Sequence, residues 1–495
     1  MELIKYIYFL LLFYIIYSFY IKNKKIHRNE AKGPIGFPIV GNMIQIGKSK
    51  PHIELMKLET IYGKGIVRIW LGDYYSVFLS DIDLIKDVFI NKIEIFSSRP
   101  KSPLTRLGTN DFRGINGSSG DTWIKNKNIV VTAMKRANTK TIYSLLDNQV
   151  EDLIKEMSNF ETKNQPFYPK HYFRKFVLST MFKYIFNEDV PYDENLENGK
   201  LSELTNEMEN IFKTLKVGRL ANSIKILESP YYYYLKKSDK VFKNIKRLII
   251  EKYENHVNSI DSEKPRDLLD ILINEYGTSE DDILNITQVT LDMFMAGTDT
   301  TANTLEWIII KLCNNPIHQE IAYNELKSLI SSKGKIDDSI KSSINLSDRP
   351  STPYIQAIIK ETMRMHPVVV LGLPRYCEND TFIGEKNYFI PKGCKVFINF
   401  HSIGYNEKYY KDPYKFDPQR FLESTTNPMD SFFPFGLGNR VCLGRQLAND
   451  QLYLVVSNII LKYKLKTIND ININEQGIFG LTVSPNEFKI KLEAR

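Results

Sequence analysis

Apolar residues recur at helical spacing over most of this chain, and most densely from about Trp123 to Pro316. Polar stretches at Glu188–Asn198 and Ser259–Arg266 break that run into separate helices. Two stretches depart from the helical period. IVRIW and YSVFL flank Gly72 and Asp73 and predict a β-hairpin, and a second short β region is predicted over Thr381–Phe400, turning at Pro391-Lys392-Gly393. No fixed-period repeat is present, which argues against a solenoid. The pattern predicts a mainly α protein with small β-sheets at both ends and no break in its helical middle.

The N-terminus has a different pattern. From Leu3 to Ile21 the only charge is Lys5, and Lys22, Lys24, Lys25 and Arg28 follow at once. At about 1.5 Å per residue this run reaches roughly 28 Å, enough for the thinner bilayers of the cell. It is read as a transmembrane anchor over residues 1–21. The small residues of a cleavage site are missing, since Tyr17, Phe19 and Tyr20 end the run. The basic cluster keeps the following chain cytosolic. Lys32-Gly33-Pro34-Ile35-Gly36-Phe37-Pro38 cannot continue a helix, so residues 22–42 form a basic, Pro/Gly-rich linker and 43–495 the folded domain.

Composition narrows the class. With 43% hydrophobic and 25% charged residues a large core is available and general disorder is not expected. Lys and Arg number 66 against 58 Asp and Glu, a net charge of +8 without long single-sign runs, which suits a membrane surface or an acidic protein partner better than nucleic acid. Cys313, Cys377, Cys394 and Cys442 lie far apart with no C-x-x-C pair, so neither a disulfide scaffold nor a thiolate zinc finger is expected.

Four stretches carry candidate chemistry. Ala296-Gly297-Thr298-Asp299-Thr300-Thr301 interrupts an apolar helix predicted between Ser279 and Pro316. Its glycine admits a close neighbour, its hydroxyls can bond back to carbonyls and open the helix locally, and a carboxylate beside a hydroxyl can relay protons. On the helix predicted from Ser351 to His366, Glu361 and Arg364 share a face. Phe416-Asp417-Pro418-Gln419-Arg420-Phe421 supplies an arginine that could join them. Pro434-Phe435-Gly436-Leu437-Gly438-Asn439-Arg440-Val441-Cys442-Leu443-Gly444 places a cysteine before a strongly helical run, where the helix dipole lowers a thiol pKa. That thiol is a nucleophile, a metal ligand or a small core residue; the local residues do not choose among them.

In their order and spacing these four stretches resemble the haem-thiolate monooxygenases of the cytochrome P-450 superfamily, microsomal type, from the proline-rich linker to the C-terminus. The resemblance implies that Cys442 is the axial ligand of haem b iron. Arg440, Trp123, Lys127 and Arg375 would hold the propionates, with Lys127 standing where the family usually has arginine. Phe435, Gly438 and Gly444 would shape the ligand loop, the glycines giving the porphyrin room. Asp299 and Thr300 would deliver protons to bound oxygen, and Glu361, Arg364 and Arg420 would form a structural network behind the haem. Met295, Ala296, Val370, Leu371, Phe479 and Leu481, with the loop around 103–117, would line the substrate pocket. The implied activity is insertion of one oxygen atom from O2 into a lipophilic substrate. Its electrons would come from NADPH through a separate flavoprotein reductase, with cytochrome b5 as a second donor, at the endoplasmic reticulum membrane. A haem-thiolate isomerase or dehydratase acting on lipid peroxides is the alternative on the same fold; such relatives often alter the acid–alcohol pair that is intact here.

Overall fold

A computed structural model describes residues 2–47, 49–137, 140–190, 200–215, 220–238, 242–277, 279–333, 343–422 and 428–495. The helix Glu280–Asn314 is the axis of the molecule. The Ser279 side chain caps it by accepting from the Asp282 N–H at 3.2 Å, Glu280, Asp281 and Asp282 load its first turn with negative charge, and the next helix starts at Pro316. Around it pack the helices Pro169–Phe186, Lys243–Val257, Pro353–Met365 and Arg445–Lys462, sharing one continuous apolar core. At Gly297 the missing Cβ lets Met181 approach: a methyl there would sit 2.6 Å from the Met181 sulfur. The Thr298, Thr300 and Thr304 hydroxyls donate to carbonyls four residues back, yet the helix continues unbroken through them, so the expected local opening is absent.

The two β regions are not separate sheets. Ile66–Leu71 and Tyr74–Leu79 form the expected hairpin, and Lys395–Ile398 runs parallel to its second strand with Val77 opposite Val396. Arg375–Tyr376 completes a four-stranded mixed sheet. Every residue of Lys395–Ile398 is buried, and a strand covered on both faces belongs inside a sheet. Thr381–Ile383 and Tyr388–Ile390 form a small hairpin beside it. Of the polar connection at Glu188–Asn198, residues 191–198 lie outside the described residues; Ser259–Arg266 joins the helices Lys243–Val257 and Leu268–Tyr276.

The N-terminal helix spans Glu2–Asn23, and Ile4–Asn23 is long and apolar enough to cross a membrane. Its apolar side chains from Ile4 to Ile21 are mostly exposed, while its C-terminal end is tied to the folded domain. Lys22 is buried against Asp73 at 3.0 Å, the Asn23 amide donates to the Gly36 carbonyl at 2.9 Å, and the Ser18 hydroxyl accepts from the Ile39 N–H.

Candidate active site

The long helix, the loop after Pro353–Met365, the helix Gly120–Ala137 and the loop 434–444 enclose a cavity of about 340 Å³. Ala296, Gly297, Thr300 and Thr301 line it from the long helix, and Cys442 lines it from the loop 434–444. The Cys442 thiol is open to this cavity and closed in elsewhere, where its N–H donates to the Phe435 carbonyl at 2.9 Å. Burial pushes the thiol up; the Gly444 N–H and Arg445 pull the other way and lose. The helix start alone therefore does not deliver the lowered thiol pKa expected of it. A positive charge brought into the cavity would be needed to make the thiolate the favoured form.

The glycines of the loop do two different jobs. Gly436 and Gly444 have open space where a Cβ would stand, Gly436 at φ +79°. Gly438, at φ +71°, instead packs its α-carbon against the Phe89 carbonyl. Its role is close approach to the segment Asp87–Asn91, and the expectation that it gives room to a bound ring is corrected.

Cations gather at one end of the cavity. Arg99, Lys127, Arg375 and Arg440 all line it, with Trp123 between them. Arg440 stacks 4.0 Å over the Trp123 ring and Lys127 lies 5.0 Å from it on the ring face. Burial and the two neighbouring guanidinium groups, Arg99 and Arg440, push Arg375 well below its ordinary value, and burial with Arg99 brings Arg440 down to about 8. Among the described residues Arg375 Nε and Nη1, Trp123 Nε1 and Arg99 Nε have no hydrogen-bond partner. Clustered cations with idle donors are costly until an anion meets them. Arg440 is different: Nε, Nη1 and Nη2 donate to the carbonyls of Ser97 (3.1 Å), Ile115 (3.0 Å) and Ser118 (2.7 Å). It fastens the 97–118 loop to the cysteine loop, a task its sequence position did not announce. Arg99 was missed altogether; its only signal was a lone arginine before Pro100.

Asp299 and Thr300 diverge, because successive helical residues point about 100° apart. Thr300 is in the cavity wall, its hydroxyl donating to the Ala296 carbonyl at 2.8 Å. Asp299 is buried on the far side, where its Oδ2 accepts from the Thr482 hydroxyl at 2.6 Å and the Asn303 amide at 2.8 Å. Arg174 Nη2 is 3.6 Å from its other oxygen. Of the two residues expected to deliver protons, Thr300 thus lines the cavity and Asp299 is turned away from it.

The expected substrate wall is also corrected in part. Ala296 lines the cavity, but Val370, Leu371 and Phe479 pack into a separate apolar cluster with Phe78 and Phe397. A turn causes this: the Gly372 N–H bonds the Val369 carbonyl and Gly372 takes φ +58°, so Val368, Val369 and Leu373 face the cavity while Val370 and Leu371 face the sheet. Met295 packs against the main core, and Leu481 sits at the turn beyond Phe479 with its N–H on the Phe212 carbonyl. Ile115 and Asn116, from the loop around 103–117, line the cavity, and so does Asp292. Asp292 accepts from the Ile115 and Asn116 N–H groups at 2.7 and 2.9 Å and from Gln288 at 2.9 Å; burial nonetheless pushes it up to about 6.

Glu361, Arg364 and Arg420 meet in one buried network. Arg364 forks onto both Glu361 oxygens at 2.7 and 2.8 Å, and Arg420 Nε and the Asp417 N–H reach Glu361 at 3.1 and 2.9 Å. The remaining guanidinium donors go to carbonyls at Gly404, Pro413 and Lys411.

A thiol facing one side of an apolar cavity, with cations at its rim, suits a flat metal chelate carrying carboxylates. The orphaned donors and the open glycine floor fit such a group. Comparison with known proteins agrees. A family model described as Cytochrome P450 matches residues 31–492. "Probable cytochrome P450 508C1" of Dictyostelium discoideum is 83% identical over the full length of both chains. "Probable cytochrome P450 508A4" of the same organism is 40% identical, covering 100% of this chain and 99% of that one. A solved zebra fish cytochrome P450 with progesterone superposes at a TM-score of 0.76 with 25% identity, covering 90% of this chain and 99% of the other. The chain belongs to the cytochrome P450 family, and with it to the haem-dependent monooxygenase oxidoreductases.

Proposed function

We propose that this chain is a membrane-anchored haem-thiolate monooxygenase that inserts one oxygen atom of O2 into a lipophilic substrate, with electrons delivered from NADPH by a separate flavoprotein reductase. The observation that carries the reading is the cavity that brings the Cys442 thiol together with partnerless donors on Arg375, Trp123 and Arg99. Cys442 would hold the iron, and Arg375, Trp123, Lys127 and Arg99 the two carboxylates. When bound, haem supplies oxygen activation, and the thiolate's electron donation favours O–O cleavage. Thr300 holds a hydroxyl proton at the cavity wall, and Asp299, one residue back, is buried on another face of the helix, where it accepts from Thr482. The apolar wall of Ile115, Val130, Val368 and Val369 excludes water and selects lipophilic molecules. Residues 1–21 would cross the membrane once, that of the endoplasmic reticulum, with 43–495 on the cytosolic side; the tied end at Lys22 and Asn23 holds the cavity at a fixed attitude to the bilayer.

The test is the carbon monoxide adduct of the reduced protein, which is expected to show the Soret band of a thiolate-ligated haem; the band of a histidine-ligated haem overturns the reading. Turnover of a lipid hydroperoxide without any electron donor would shift it to the isomerase alternative. Substrate-induced spectral shifts over a panel of sterols, fatty acids and polyketides identify the substrate class.

A smaller effect is expected at Lys127. Lys127→Ala removes one cation from the rim and should lower haem retention on gel filtration several-fold. Lys127→Arg, which adds a planar fork, should retain haem at least as well as the natural chain.

A further inference from the structure

Behind Asp299 lies a buried charge cluster that the reading above does not use. Glu306, two turns further along the same helix, is 1% exposed, and its Oε1 has no hydrogen-bond partner among the described residues. Arg174, from the adjoining helix Pro169–Phe186, is the first cation whose charge Glu306 feels, and among the described residues its Nε and Nη2 also have no hydrogen-bond partner. Arg174 feels Asp299, Glu306 and Glu209 together, and Nη1 donates to Glu209 at 2.9 Å. From Glu209 the line continues to Lys170 at 3.3 Å and on to Glu487 at 2.9 Å, where it reaches solvent.

Resting on the proposed monooxygenase reading, we propose that Glu306 is a positioning residue for proton delivery: Asp299 and Glu306 share one proton and one counter-cation, Arg174, and Glu306 sets which carboxyl is ionised. The groups facing Glu306 are Arg174 and Lys170 from one helix, Glu209 from the helix Lys200–Thr214, and Asp299 from its own. Glu209 does not compete for the proton. Burial opposes its ionisation, but Arg174, Lys213 and Lys170 outweigh that and hold it down at about 2. One guanidinium is then left for two fully buried carboxyls, and two buried carboxylates beside one cation cannot both ionise cheaply. Burial pushes Glu306 up to about 8 against the pull of Arg174, and raises Asp299 as well.

The exchange is balanced. When Asp299 takes up a proton, Glu306 releases one to solvent, which the cluster meets at Glu487; Arg174 moves its charge from Asp299 to Glu306, no electrons move, and the net charge of the cluster is unchanged. Direct hopping is not required, because seven residues of helix set the two carboxyls about 10 Å apart along the axis. The coupling is electrostatic.

Two measurements test this on the full-length protein. The first is infrared: the C=O stretch of a protonated buried carboxyl should be present at pH 7, shift in D2O, disappear as the pH rises through about 8, vanish in Glu306→Gln and change frequency in Glu306→Asp. A band indifferent to both substitutions overturns the proposal, and if Glu306→Gln does not fold, the wild-type titration and Glu306→Asp still decide. The second is the ratio of product to peroxide released during NADPH-driven turnover. Glu306→Gln should lower it at least fivefold and remove its alkaline limb, and Glu306→Asp should recover part of it; unchanged coupling in Glu306→Gln overturns the proposal. Absence of the thiolate Soret band in wild-type protein would defeat the monooxygenase reading alone, because the infrared arm reads Glu306 without turnover.

Discussion

Glu361→Ala is expected to yield little or no soluble holoprotein, and any that accumulates should lose haem and unfold at markedly lower urea concentration than the natural chain. Glu361 is fully buried and receives four donors from Arg364, Arg420 and the Asp417 N–H. Its removal leaves two guanidinium groups, 1% and 9% exposed, facing each other without an anion. Breaking a buried ion pair in this way costs about 3–5 kcal/mol, a large share of the roughly 5–15 kcal/mol that holds a domain folded. Glu361→Gln should be milder, since the amide oxygen keeps one acceptor while the charge is lost. If urea unfolding of Glu361→Ala coincides with that of the natural chain, the network is not structural. The loss has a reason to reach the haem site: Arg364 and Arg420 also fasten carbonyls from Gly404 to Pro413, and the chain runs on from there towards the cysteine loop.

This network also marks the boundary of what the sequence makes legible. Glu361 and Arg364 are three apart on a helix, so their shared face follows from the helical period alone. Arg420 lies 59 residues from Glu361, and only the folded chain brings it there. Motifs confined to one element were readable in the same way: the hairpin at Gly72, the long helix from Ser279, and the cysteine loop before Arg445. Cations that converge from separate elements were not all readable. Arg99 and Arg174 gave no pattern, because one arginine in a loop or on an apolar helix is an ordinary occurrence. Glu306 did leave a trace, a single carboxylate within TLEWIIIKLC, where every neighbour but Thr304 and Lys311 is apolar. The substrate wall failed for a local reason. A resemblance places a segment near a cavity, but a turn such as Val369–Gly372 decides side chain by side chain which residues face it.

The cysteine loop carries the other large effect. Cys442→Ser is expected to abolish the thiolate Soret band of the reduced carbon monoxide adduct and to bring NADPH-dependent product formation down to the uncatalysed background, while the far-ultraviolet circular dichroism stays that of a mainly helical protein. The fold should survive because Cys442 is not part of the packed core: its side chain opens into the cavity, and the loop is held by its own N–H on the Phe435 carbonyl and by Arg440 on three carbonyls. Serine keeps all of these contacts. What it cannot supply is a soft, electron-rich ligand, since an alkoxide is far harder to form than a thiolate and donates less to iron. Burial raises the Cys442 thiol against the pull of the Gly444 N–H and Arg445. The iron of a bound haem would stabilise the thiolate, and its carboxylates would meet the idle donors of Arg375, Trp123 and Arg99. Haem retention by Cys442→Ser should accordingly be weakened but not lost, because the rim would still pair with the carboxylates. Retained turnover in Cys442→Ser, or an unshifted Soret band, would place the reactive iron on some other residue.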